Sequence, residues 1–101
     1  MFVAFYLDTR NKIISREVVS IGTNNCSIID LRGTYRTAIS RNANALIICH
    51  NHPSGSTEPS PEDQEVTEKL ARAGEILGIK LLDHVIVTRN GYYSFKDQGL
   101  M

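Results

Sequence analysis

Three side chains stand out as able to share one metal ion. His50 and His52 lie two positions apart in the run IICHNHPSG. In extended chain, residues i and i+2 project to the same face, so both imidazoles can reach one point. A catalytic zinc takes three protein ligands and keeps a fourth position open for water. Asp63, eleven residues past His52, is the best third ligand, because the Pro/Gly/Ser loop between them is long enough to fold back. The same residues also fit a purely structural role. Ser60-Pro61-Glu62-Asp63 reads as an N-cap serine, a proline at N1 and an acid at N3, which would occupy Asp63 without any metal. A histidine at a strand end is commonly just a polar rim side chain. Spacing alone leaves both readings open.

The elements that must position these residues can be read in order. Phe2 to Leu7 is a short apolar run ended by Asp8-Thr9-Arg10-Asn11, a strand followed by a turn. Lys12 to Ile21 is β-branched and predicts a second strand, closed by Gly22 and paired with the first as a hairpin. Asp30 can cap a helix from Leu31 to about Asn42, with Leu31, Tyr35, Ala38 and Asn42 on one face. Gly33 weakens that helix by about 1 kcal/mol relative to alanine. Ala45 to Cys49 fits a central strand buried on both faces. A helix from Pro61 to Leu77 carries the apolar stripe Val66, Leu70, Ala73 and Leu77, and Gly78 stops it. Lys80 to Thr88 predicts another buried strand. Asn90-Gly91 signals a hairpin into a last strand, Tyr92 to Phe95. The order β, β, α, β, α, β, β predicts an α/β domain with a mixed sheet and packed helices.

Bulk composition narrows the function classes. The chain has 101 residues, enough for one domain. With 42% apolar and 22% charged residues it is ordinary globular material. No stretch approaches the ~20 apolar residues of a membrane span, and no signal peptide is visible at the N-terminus. Cys26 and Cys49 sit in apolar surroundings outside any CxxC pair; they read as core thiols and suit a reducing cytoplasm. The 11 acids balance the 11 bases, so a basic nucleic-acid footprint is absent. The bases concentrate between Arg10 and Arg41, and five acids fall between Glu58 and Glu68. These read first as solvated faces. The basic stretch is the single feature favouring contact with a phosphate backbone. Oligomeric state is open, and an exposed FVAFYL start would leave room for pairing between chains.

One string carries more than spacing. His50-Asn51-His52-Pro53, six residues, then Ser60-Pro61-Glu62-Asp63 resembles the HxHP-x6-SxxD signature of the JAMM/MPN (JAB-type) metalloprotease domains. Asp83-His84-Val85-Ile86, Tyr92-Tyr93-Ser94-Phe95, the opening FVAFYLDTRNKII and AISRNANALIICHNHPSG are similar to the RadC family of bacterial JAMM-type proteins. The likeness spans nearly the whole chain and is weakest around residues 24–37. Asp30-Leu31-Arg32-Gly33 departs from the Pro-Arg-Glu stretch that opens the first helix in that family.

The resemblance implies a JAB/MPN (cytidine-deaminase-like) architecture and a zinc-dependent peptidase or isopeptidase acting on a protein or peptide. It implies Zn2+ on His50, His52 and Asp63, and a role for Ser60 in holding the water or the oxyanion. The family's catalytic glutamate is expected just before the first strand, outside a chain that starts at Met1-Phe2. Glu17 is the one glutamate before the histidine pair; it reads mainly as a cross-strand ion-pair residue and secondarily as a substitute base. His84 can be a fourth ligand or a ligand's neighbour, but reads first as a buried histidine hydrogen-bonded within the fold. A non-catalytic metal-site binding module is the alternative function. The family's label as DNA-repair proteins is a third, with little basic surface behind it.

Overall fold

A computed structural model describes residues 1–20, 28–52 and 55–101. The order is β1 (Phe2–Leu7), β2 (Ile13–Val18), α1 (Leu31–Ser40), β3 (Ala45–Asn51), α2 (Pro61–Leu77), β4 (Lys80–Thr88) and β5 (Gly91–Ser94). The strands form one mixed sheet in the order β2-β1-β3-β4-β5. Only β3 and β4 are parallel, as expected for strands joined through a helix, and the other pairs are antiparallel. This is the α/β architecture the element order predicts, and it is consistent with a JAB/MPN fold.

Local chemistry explains most boundaries. In the β1–β2 turn, Asp8 Oδ1 accepts from the Arg10 and Lys12 N–H groups at 2.8 and 2.9 Å, and Asn11 takes the left-handed conformation at φ 61°. Asp30 caps α1 by accepting from Gly33 N–H at 3.0 Å. A Cβ on Gly33 would strike that carboxylate, so the glycine's helical cost secures the cap. Ser60 caps α2, and Gly78 closes it in the left-handed conformation at φ 73°.

Several expected details differ. The second strand is shorter than Lys12–Ile21, ending at Val18, and Ile21, Gly22 and Cys26 lie outside the described residues. Helix α1 stops at Ser40, so Asn42 leaves its apolar face and turns at φ 57°. The hairpin tip is Arg89-Asn90, with Gly91 opening β5 opposite Thr88. The FVAFYL strand is not exposed for pairing, because it lies between β2 and β3.

The core lies between the sheet and both helices. Phe2, Ala4, Tyr6, Leu46 and Ile48 meet Tyr35, Ala38 and Leu70 there. The Tyr35 hydroxyl donates to the Leu70 carbonyl at 2.5 Å, tying α1 to α2. The opposite side of β3 is only half covered: Ile47 and Cys49 are partly exposed, so the strand is not buried on both faces and Cys49 is not a fully packed core thiol. In α2 the deeply buried stripe is Asp63, Thr67, Leu70 and Gly74, while Leu77 is exposed and Val66 and Ala73 only half buried. The helix is thus rotated so that two polar side chains near its N-terminus face the sheet.

Candidate metal centre

The centre forms where β3 ends and α2 begins. Leu46, Ile48 and His50 alternate inward along β3, which places the His50 imidazole in the core at the carboxyl end of a parallel strand. His52 follows just past the strand. Asp63 sits at N3 of α2, where the proline-led, serine-capped start aims it back at the strand.

The expected trio converges. His50 Nε2 lies 3.0 Å from Asp63 Oδ1, and His52 Nε2 lies 3.0 Å from Asp63 Oδ2. One donor atom from each residue falls within 4.8 Å of the others. Four ligands at ~2.1 Å around zinc define a tetrahedron with edges of about 3.4 Å, so small side-chain shifts would seat an ion. His52 Nδ1 is 2.9 Å from the Ser56 carbonyl oxygen, which can only accept. The ring proton is therefore assigned to Nδ1, and in the neutral ring the bare Nε2 lone pair faces a carboxylate oxygen. That contact lacks a hydrogen, and either a second ring proton or a shared metal cation satisfies it.

Electrostatics agree with this donor set. Burial pushes the His50 pKa down to about 4, against the upward pull of the Asp63 carboxylate. Burial also pushes the Asp63 carboxyl upward, but the Ser60 N–H, the two imidazoles and the Ser60 hydroxyl outweigh it and hold the group below its usual range. Near neutral pH the pocket thus presents an uncharged His50 ring beside an ionised carboxylate, the state a divalent ion requires of its ligands.

The capping and ligand readings of Asp63 hold together. Ser60 N–H donates to Asp63 Oδ2 at 2.8 Å, and Asp63 N–H donates to Ser60 Oγ at 3.1 Å. This reciprocal box orients the carboxylate that both histidines meet. Ser60 Oγ accepts in the box, and the same hydroxyl helps hold the Asp63 carboxyl below its usual range. Pro53, part of the sequence signature, lies outside the described residues.

Glu17 is not brought to the trio. It pairs with Ala4 on the edge strand, in register with Ile48, and its carboxylate meets Arg41 at 3.5 Å and Ser15 at 3.3 Å. Glu17 is thus an ion-pair residue, but its partner is Arg41 at the end of α1 and not a residue across the strands, where Ala4 stands. His84 is fully buried and is not part of the ligand group. It contacts His50 and Thr67 instead, at 2.9 and 2.6 Å. Thr67 was not foreseen, although its position one turn after Asp63 put it on the same helix face.

The comparisons with known proteins agree over the full length. Residues 1–100 match the RadC-like JAB domain. A UPF0758 protein of Thermotoga maritima is 50% identical over 93 residues, covering 92% of this chain and 42% of the relative. A UPF0758 protein of Methanosarcina mazei is 47% identical over 100 residues, covering 99% and 44%. The Clostridioides difficile UPF0758 protein is 47% identical over 101 residues, covering 100% and 43%. The chain spans less than half the length of these curated relatives. With His50, His52, Ser60 and Asp63 gathered into one site, the chain belongs to the RadC family through its JAB domain.

Proposed function

We propose that this domain is a zinc-dependent amide hydrolase of the JAMM type, acting on a protein or peptide. The observation that carries this reading is the convergence of two imidazole nitrogens on one carboxylate, with the His52 ring proton spent on the Ser56 carbonyl. His50, His52 and Asp63 would hold the ion. When bound, zinc supplies Lewis acidity and lowers the pKa of a coordinated water toward ~7.

The remaining work falls to the protein. The capping box holds Asp63 in place. Ser60 stands beside the carboxylate, and its hydroxyl would turn from Asp63 toward a developing oxyanion, where such a donor contributes about 3 kcal/mol. A general base must take a proton from the attacking water. No glutamate among the described residues joins the trio's donor group. The start of β1 lies beside it: Phe2 pairs with His50, and the Met1 amino group lies 3.4 Å from Asn51 Oδ1. A base carried upstream of Met1 would therefore enter beside His50.

The test has two stages. Metal analysis of tag-free protein is expected to find one zinc per chain, lost in His50→Ala. Absence of zinc in the unsubstituted protein sinks the reading. Peptide hydrolysis is then compared between this chain and one extended upstream with the relatives' residues. Activity gained on extension identifies the base. Zinc binding without hydrolysis in either chain favours a non-catalytic binding module.

A further inference from the structure

We propose that His84 and Thr67 form a hydrogen-bond relay that holds His50 in the one tautomer whose Nε2 can face a metal. The proposal rests on the metal reading of the trio and names the residues that position one of its ligands.

The relay can be followed hydrogen by hydrogen. The Thr67 hydroxyl donates to the Asp63 main-chain carbonyl one turn earlier, at 3.0 Å. A hydroxyl has a single hydrogen, so toward His84 Nδ1, 2.6 Å away, Thr67 Oγ1 can only accept. His84 must then carry its proton on Nδ1 and leave Nε2 bare. His84 Nε2 lies 2.9 Å from His50 Nδ1, so His50 donates from Nδ1. What remains on His50 is a lone pair at Nε2, pointing at Asp63 Oδ1 across 3.0 Å. The chain of bonds starts at the main chain of Asp63 and ends at its side chain.

The reverse direction loses a bond at Thr67 and cannot serve a bound ion. A Thr67 hydrogen given to His84 leaves two oxygens, Thr67 Oγ1 and the Asp63 carbonyl, facing each other without a hydrogen. It also places a hydrogen on His50 Nε2, which can bond Asp63 Oδ1 in the metal-free site but blocks the ligand position once an ion binds.

The surroundings keep the relay dry and fixed. His84 is fully buried, Thr67 is 4% exposed and His50 is 7% exposed, so water does not compete. Phe95 stacks on His84 with centroids 4.5 Å apart and rings 5° from parallel. Phe2 covers His50 at 4.4 Å. Asp83 holds the neighbouring turn, accepting from Ser94 Oγ at 2.5 Å and Lys96 N–H at 3.1 Å. The sheet itself turns His84 inward. Register between β3 and β4 slips by one residue after Leu46, which pairs with Leu81 while Ile47 pairs with Asp83. Strict alternation from buried Leu81 would have pointed Asp83 into the core; the slip at Leu82 points His84 there instead.

The test reads tautomers and zinc affinity separately. Nitrogen-15 NMR of the zinc-loaded protein near neutral pH is expected to show His84 protonated on Nδ1 and bare on Nε2. The opposite tautomer in the loaded protein overturns the relay. Thr67→Val keeps shape but removes the acceptor. It is expected to disturb that tautomer and weaken zinc binding about 10–100-fold, with Thr67→Ser restoring both. Unchanged zinc affinity in a folded Thr67→Val protein also overturns the proposal. Failure of the unsubstituted protein to bind zinc defeats the metal reading and the relay with it, whereas zinc bound with the opposite His84 tautomer defeats the relay alone.

Discussion

Ser60 is where capping and chemistry meet, and substitution separates the two. Ser60→Ala removes the oxygen that accepts from Asp63 N–H, so it is expected to cost about 1 kcal/mol in chemical denaturation. Zinc content should persist, because Ser60 holds no metal. In an active extended chain, kcat should fall about 10²–10³-fold if Ser60 meets the oxyanion. A kcat unchanged by the substitution assigns Ser60 to capping alone. A second expectation concerns pH. Burial holds the folded His50 and His84 pKa values at about 4, against an ordinary 6.5. Between those values the unfolded chain binds protons that the folded chain does not, so stability rises with pH. The metal-free protein should hold this contribution in full above about pH 6.5 and lose it as pH falls toward about 4. Asp63, with a lowered folded pKa, adds a further loss at more acidic pH. Urea midpoints that stay level across this window contradict the burial argument.

At the scale of elements, α2 does more than cross from β3 to β4. Its i, i+4, i+7, i+11 stripe places Asp63 at the ligand site, Thr67 against His84, Leu70 in the core and Gly74 at the closest approach. A Cβ at Gly74 would strike the Ile79 carbonyl and crowd the Tyr35 hydroxyl. Gly74→Ala is therefore expected to destabilise the protein, even though alanine gains up to about 1 kcal/mol in helix propensity. Thermal melts showing equal or higher stability would mean the turn after α2 relaxes freely. Sequence periodicity located this helix correctly from Pro61 to Leu77. It misjudged the rotation, because Asp63 and Thr67 are polar and hydropathy assigns polar residues to solvent. They face inward because each has buried partners.

For the whole molecule, His50, His52 and Asp63 come from two consecutive elements, the end of β3 and the start of α2, and meet only when α2 docks on the sheet. Metal binding is then folding energy as well. At free zinc 100 times its Kd, the folded state gains about 2.7 kcal/mol. For a domain of this size that raises Tm by about 10–20 °C. Differential scanning calorimetry with zinc and then chelator checks this, and the shift should vanish in Asp63→Ala. No helix among the described residues is long and apolar enough to cross a membrane. Among the described residues β2 and β5 are the outer strands of the sheet, and the exposed Ile13 and Val18 lie on β2.

The sequence by itself determined the element order, both helix caps, the stop at Gly78 and the ligand trio. Each is a local signal: alternation, a capping serine or aspartate, a glycine in the left-handed region, or fixed gaps in one motif. Only the tertiary structure decided how the trio is held. The one-residue slip between β3 and β4 depends on pairing between strands more than thirty residues apart, and no local pattern records it. That slip sends His84 inward, and the rotation of α2 brings Thr67 to meet it. The three ligands were legible because a motif writes them in order. The hydrogen bonds beneath His50 were not, because they exist only between elements that folding brings together.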